Sequence, residues 1–348
     1  MQQIFRALTV AGALSVMFAA AARADVVLSG SDTLDGSYSA AALAAETTAA
    51  DAVTSSGNTG ISLWGALGGS TSSVSVTNGD GSNTMTYGDV VTNTPAGDNS
   101  KNAILHYYVV ATNSAGQASA VSLGELDPFF GGTGSTPVYL KYGTTVGGVG
   151  SSVSLVVPNQ PGRDLSNLTS LALVGVPAAP TGPGGQSTAL TLSGNTTASG
   201  SYNLAALRAL PSTTVTAGAT GSPSTTYTGV GLYNFLSPTS NNVNQIVVAL
   251  GSDRYEVVLA LGELDPSDGG DPNDLLAWSD TSDSQFPGDG VARLVIPGDS
   301  HAGRWDSNLV ALTVETVPEP GSLTPLAVGL AAMGTVRRRF RGTKPPAA

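Results

Sequence analysis

Leu123-Gly124-Glu125-Leu126-Asp127-Pro128 returns, residue for residue, as Leu261-Gly262-Glu263-Leu264-Asp265-Pro266, and this repeated hexapeptide decides how the chain is divided. Upstream of it, Leu28-Ser29-Gly30 recurs as Leu192-Ser193-Gly194, and Gly36-Ser37-Tyr38 as Gly200-Ser201-Tyr202. Thr59-Gly60-Ile61-Ser62-Leu63-Trp64 is echoed by Thr228-Gly229-Val230-Gly231-Leu232-Tyr233. Downstream, Gly162-Arg163 with Ser166-Asn167-Leu168 matches Gly303-Arg304 with Ser307-Asn308-Leu309. Landmarks kept in one order are the mark of a duplication. The body therefore splits into copy 1, residues 25–176, and copy 2, residues 189–316. The Pro/Gly-rich stretch 177–188 reads as a linker between them.

Each copy reads alike at coarse resolution. Leucine spacing predicts short helices at 40–46 and 202–210, the second stopped by Pro211, and at 63–67 and 232–236 after Thr-Gly turns. Hairpins are expected at 107–111 with 118–121 and at 247–250 with 255–260, and further strands at 292–296 and 310–314. The expected class is α+β: two tandem copies of a mixed, mainly antiparallel strand domain with short helices. A signal helix at the N-terminus and a hydrophobic helix at the C-terminus are added to it. Residues 72–100, rich in Gly, Ser, Thr and Asn, read as a surface insertion of copy 1.

A chain of 348 residues has room for two cores, and with no cysteine it has no disulfide and no thiolate ligand. Two basic residues lie in the first 24 positions and five in the tail, so seven of 14 remain between Asp25 and Thr316. Against 24 of the 25 acidic residues, that body carries a formal charge of −17. Phosphate backbones and anionic headgroups would be repelled, which removes nucleic acid from the expected partners.

The ends carry targeting signals. Arg6, an apolar run from Ala7 to Ala22 and the small residues of Ala22-Arg23-Ala24 fit a secretory leader cut between Ala24 and Asp25 by signal peptidase. At the other end, Pro318-Glu319-Pro320 precedes the apolar stretch 323–336 and then Arg337-Arg338-Arg339-Phe340-Arg341. About 14 residues rise about 21 Å as a helix, a marginal membrane anchor, and the arginines would hold the C-terminus in the cytoplasm. This motif, span and basic stop in residues 317–348 resemble the PEP-CTERM sorting signal read by exosortases. The resemblance implies transient inner-membrane anchoring, cleavage near the motif, and release to the cell surface or the extracellular, exopolysaccharide-rich matrix.

A second resemblance lies in the body. Tyr227-Thr228-Gly229-Val230-Gly231-Leu232, the Leu-Gly-Glu-Leu segment, Arg293-Leu294-Val295-Ile296-Pro297-Gly298-Asp299 and Gly303-Arg304-Trp305 together resemble the sulfite-oxidase-type molybdopterin-binding domain. The likeness implies that Arg293 and Arg304 approach a pterin phosphate, as guanidinium groups suit bidentate contact. Pairing of each arginine with a nearby carboxylate is the alternative. In copy 1, Ser154 stands where Arg293 would and Asn159 where Gly298 would. Enzymes of the family hold molybdenum through a cysteine, which this chain lacks. No catalytic residue, no metal ligand and no resident cofactor are therefore expected.

The other chemical groups read as structural. Glu125, Asp127, Glu263 and Asp265 are expected at turns and caps. His106 and His301 do not fall at matching landmarks and read as surface or interface residues. Asp265 to Asp274 reads as a solvated acidic loop rather than a calcium loop, and Trp64, Trp278 and Trp305 as core or interface anchors. The expectation is an exported, exosortase-processed surface or matrix protein with two non-catalytic domains. The alternatives are a redox protein retaining molybdopterin in copy 2 and a matrix adhesin that binds extracellular polysaccharide.

Overall fold

The structure is a computed structural model that describes residues 25–29, 36–67, 103–128, 130, 136–176, 184–219, 223–240, 243–281 and 290–317. Copy 1 runs β1 (Val26–Ser29), β2 (Gly36–Tyr38), α1 (Ala40–Glu46), β3 (Ala52–Ser55), β4 (Asn58–Ser62) and α2 (Leu63–Ala66). A 3-10 turn (Ala103–His106) leads into β5 (Tyr107–Asn113), β6 (Ala118–Ser122), α3 (Leu123–Leu126), β7 (Tyr139–Thr144) and β8 (Gly148–Val156). A second 3-10 turn (Pro161–Arg163) precedes β9 (Leu168–Gly175). Copy 2 runs β10 (Leu190–Gly194), β11 (Gly200–Tyr202), α4 (Leu204–Arg208), β12 (Thr213–Ala217), β13 (Thr225–Gly231) and α5 (Leu232–Leu236). It continues through β14 (Gln245–Gly251), β15 (Glu256–Ala260), α6 (Leu261–Leu264), β16 (Leu275–Asp280), β17 (Arg293–Val295), a 3-10 turn (Ala302–Arg304) and β18 (Leu309–Thr316).

The duplication read from short landmarks reappears in the sheets. Copy 1 has a five-stranded sheet of order β2-β1-β9-β5-β6, and copy 2 one of order β11-β10-β18-β14-β15. The four-stranded sheets, β3-β4-β7-β8 and β12-β13-β16-β17, correspond as well. Among the described residues only β1 with β9 and β10 with β18 pair in parallel; the other strand pairs are antiparallel. Irregularities repeat too. The register shifts at Thr59/Gly60 and at Thr228/Gly229, and Asn167 and Asn308 both take a φ of 55°. Ser154 pairs with Lys141 where Arg293 pairs with Ala277, so the two positions matched in sequence occupy the same place in the sheet.

Thr59-Gly60 and Thr228-Gly229 are thus strand bulges, a correction to the turns read from their composition. The extra residue bends the strand, and the neighbouring strand comes close. A Cβ on Gly60 would fall on the Leu140 carbonyl oxygen and one on Gly229 on that of Leu276. The helices are short because each serves only to turn the chain. Ser39, Ser62, Ser122 and Asn203 cap α1 to α4 by accepting from the N–H of the third residue on. Replacing exposed Asn203 with alanine is expected to cost about 1 kcal/mol, read as a shift in the denaturant midpoint at constant slope.

With helices of four to seven residues, the described residues are mostly β-sheet with repeated sheet units, and the helical share expected of an α+β domain is not reached. Nor do the copies stand as clearly separate tandem domains. One contiguous cluster of buried apolar side chains runs through both, from Val26 and Leu28 to Leu312 and Val314. A second joins Tyr108, Val110, Ala118 and Ala120 to Ile246, Val248, Val258, Ala260 and Val317. Strands β6 and β15 are each the edge of a five-stranded sheet, yet both are buried along their whole length because they pack on each other. An exposed edge invites pairing with other chains, so each copy covers the other's liability. The Ala120 N–H donates to the Val243 carbonyl (2.8 Å), and Ser300 to that of Phe130 (2.7 Å).

Residues 184–188, the described part of the expected linker, are tied to copy 2 through Gly184 and Ser187. Gly184 donates to the Ser252 carbonyl, and Ser187 Oγ accepts from Val291. The leader to Ala24, the insertion at 72–100, and the tail with Pro318, Glu319 and Pro320 lie outside the described residues. Asp25 is exposed just before β1. At the other end Val317 is buried and donates to the Asn244 carbonyl. Among the described residues no helix is long and apolar enough to cross a membrane.

Candidate functional site

The repeated hexapeptide and the repeated Gly-Arg meet where the two copies touch. Strands β6 and β15 each end in a Leu-Gly-Glu-Leu helical turn, which sets Glu125 and Glu263 at the interface. Arg163 is fully buried, its Nη1 and Nη2 donating to Glu125 Oε1 and Oε2 at 2.6 and 2.8 Å. Nη2 also reaches the Ala120 carbonyl at 2.9 Å, and Gln160 accepts from Nη1. Arg304, 4% exposed, donates from Nη1 to Glu263 Oε2 (2.7 Å), and from Nε (3.0 Å) and Nη2 (2.5 Å) to Asp299. Charged groups this deep are retained only when paired and hydrogen-bonded, and both guanidiniums are.

The arginines also interlock the copies. A Cβ on Gly124 would lie 2.7 Å from Arg304 Cδ, and one on Gly262 would lie 2.9 Å from Arg163 Cδ. Each arginine pairs with the glutamate of its own copy while its methylene stem rests on the glycine of the other. The hexapeptide needs Gly at its second position for that reason. The symmetry is not complete: Gln160 bonds Arg163 where Asp299 bonds Arg304, and Ser122 caps α3 where its counterpart is Ala260. There the Glu263 carboxylate takes over, Oε1 accepting from the Ala260 N–H (2.8 Å) and from Ser122 Oγ across the interface (3.1 Å).

Beside this cluster opens a cleft of about 260 Å³, lined from copy 1 by Glu125, Pro158, Asn159 and Gln160. Copy 2 supplies Glu263, Asp271, Asp274, Asp299 and Arg304, with Ile296, Gly269 and Gly298 completing the wall. Burial pushes the Asp299 carboxyl up to about 6 against the opposing pull of Arg304. Glu125 is also raised, by burial first, with Arg163 working the other way. Burial works against the charge on Arg304, but Asp299 and Glu263 outweigh it and hold the guanidinium protonated. Asp274 is 5% exposed, and its Oδ1 has no hydrogen-bond partner. Burial lifts it well above the usual carboxylate value, with Arg304 opposing.

Arg304 thus lies at the inter-copy cleft, whereas Arg293 does not line it. Arg293 is half-buried on β17, close enough to Asp306 to favour its ionised form. The two arginines are not brought to one place around a phosphate. The acidic loop is solvated at Pro266, Ser267, Pro272 and Asn273, but Asp265 and Asp274 at its ends are buried and Gly269 packs against the Asn159 backbone of copy 1. Asp265 keeps its turn role, Oδ1 accepting from Ser267 N–H and Oγ, each at 2.8 Å. His106 is buried with Nδ1 3.2 Å from Glu256 of copy 2, an interface position, and all three tryptophans are buried. Sequence reading left the partners of Glu125 and Glu263 unnamed. The signal was the co-occurrence of one Glu and one Gly-Arg in each copy.

Among the described residues no group of three or more His, Cys, Asp or Glu is arranged to hold a metal ion. The surroundings of Arg304 do not fit a phosphate: each of its three guanidinium nitrogens already donates to a carboxylate, and the other charged groups of the cleft wall are acidic. No protein-family model and no curated protein matches the chain. Among solved structures, the sulfane dehydrogenase SoxCD from Paracoccus pantotrophus aligns at 16% identity and a TM-score of 0.32, over 53% of this chain and 49% of that one. The overlap spans about half of that chain, and likeness at this level assigns no function.

Proposed function

We propose that the chain is an exported, exosortase-sorted surface or matrix protein whose two copies form one non-catalytic β-rich body. In this reading the Gly-Arg and Leu-Gly-Glu-Leu landmarks hold the copies together rather than hold a cofactor. The observation that carries the non-catalytic part is the reciprocal seating of Arg163 on Gly262 and Arg304 on Gly124, with both guanidiniums paired to carboxylates. A fold retained while its chemistry is lost is a common outcome, because function resides in sites and not in architecture. The export part rests on the leader before Asp25 and on Pro318-Glu319-Pro320 with its apolar span and basic stop.

One preparation tests both parts. The full chain is expressed in a Gram-negative host that has an exosortase and makes molybdenum cofactor, and the released protein is recovered. Its intact mass is expected to lack residues 1–24 and the tail beyond the Pro318 region, with molybdenum and oxidised-pterin fluorescence at background. Near-stoichiometric pterin lost in Arg304→Ala would replace this reading with a cofactor-binding one. A chain that keeps its tail and stays in the cell would refute the sorting part.

A further inference from the structure

We propose that the cleft between the two copies binds a small organic cation, an alkylammonium or guanidinium group, with Asp274 as its principal acceptor. The first support is charge. Five carboxylates line the cleft, from Glu125, Glu263, Asp271, Asp274 and Asp299, and only Arg304 on the wall and Arg163 beside it oppose them. With all of them ionised, three negative charges are left over.

The second support is independent of that count. Glu125, Glu263 and Asp299 are spoken for by arginines, and Asp271 Oδ1 accepts from the Asn273 backbone and side chain. Asp274 Oδ1 alone is buried on this wall with no donor, in a residue 5% exposed. A buried acceptor left without a donor keeps its full desolvation penalty, so such a group calls for a partner.

The third support is the shape and chemistry of the wall. A volume of about 260 Å³ falls below the roughly 300–1,000 Å³ of sites for drug-sized molecules, and suits something of side-chain size. Ile296 and Pro158 offer an apolar surface for a methylene stem, as the stems of long cationic side chains prefer. The carboxylates are not gathered in metal-ligand geometry, which favours a cation that spreads several N–H donors over a bare point charge. Burial pushes the Asp274 carboxyl up, and a cation seated beside it would pull the other way, favouring release of its proton. The proposal does not rest on export: it stands on the inter-copy geometry alone.

The test is calorimetric titration of the exported full chain at low salt with 1,4-diaminobutane, with ethylguanidinium and with calcium chloride. The expected result is saturable heat with at least one organic cation, accompanied by proton release. Asp274→Asn is expected to weaken binding about tenfold or more. Glu46→Gln, an exposed carboxylate on α1, is expected to leave binding unchanged. A peptide with a single lysine, run beside the free diamine, tells whether the cation can arrive on a partner's side chain or only as a free amine. No saturable heat with either organic cation overturns the proposal. So does saturation by calcium alone, or an equal loss in Glu46→Gln, which would mean diffuse attraction to an acidic body. Should Asp274→Asn fail to fold by circular dichroism, Asp271→Asn on the half-exposed rim carries the same comparison.

Discussion

Replacing Arg163 by leucine is expected to lower the unfolding free energy by about 3–5 kcal/mol, the range for breaking a buried ion pair from one side. The side chain is fully buried, and its loss strands the Glu125 carboxylate, which accepts two of its hydrogen bonds, together with the Ala120 carbonyl. Leucine keeps some of the volume over Gly262 but supplies no donor. The double variant Arg163→Leu with Glu125→Leu removes both charges and is expected to recover much of the loss, because the penalty lies in the unpaired charge rather than in the missing attraction. Guanidinium denaturation of the three proteins checks this, compared at matched slopes. If the single and double variants were equally destabilised, the arginine would act through packing on Gly262 and not through its charge.

Stability is expected to fall as pH rises from 5 to 8, by on the order of 1 kcal/mol from Asp299 alone. The sign follows from the direction of the shift. Asp299 goes from an ordinary value of 3.8 up to about 6 in the folded chain, so the folded state binds its proton more tightly than the unfolded state. The stabilising contribution is complete below about 3.8 and is lost as pH climbs through 6. Glu125, Asp274 and Asp306 are shifted the same way, each chiefly by burial, and steepen the fall. Repulsion within the acidic body acts in the same direction. Melting temperatures at pH 5 and pH 8 test it, and Asp274→Asn should flatten the slope by removing one of the contributing groups. A melting temperature that rises with pH over this window would show that these carboxyls ionise at little cost.

Much of this was legible before any coordinates. Helix α1 falls on residues 40–46 as the leucine spacing implies, and the two hairpins lie where β-branched runs flank short polar breaks. These features depend on neighbours within a few positions, which is the reach of periodicity and capping. The Thr-Gly pairs were misread for the converse reason. Glycine signals a turn by local rule, but at Gly60 and Gly229 it is demanded by a strand from elsewhere in the chain. The acidic loop was legible in part: its Asp/Pro/Gly composition is that of a solvated turn, and Pro266, Ser267, Pro272 and Asn273 are exposed, yet the fold lays Gly269 against Asn159 and buries Asp274.

The sequence by itself determined that the body is a duplication, because identity between Leu123–Pro128 and Leu261–Pro266 in a common order of landmarks needs no geometry to interpret. It also determined the short helices, the hairpins and the strong negative charge. Only the tertiary structure decided what the repeated residues are for. Arg163 and Glu125 stand 38 positions apart, and Arg304 and Glu263 stand 41 apart. No local rule joins them; β-sheet order brings each pair together, and the docking of β6 on β15 seats each arginine over the other copy's glycine. Coulombic and hydrogen-bonding energies depend on distance and burial, and both are set only when the two copies close on each other.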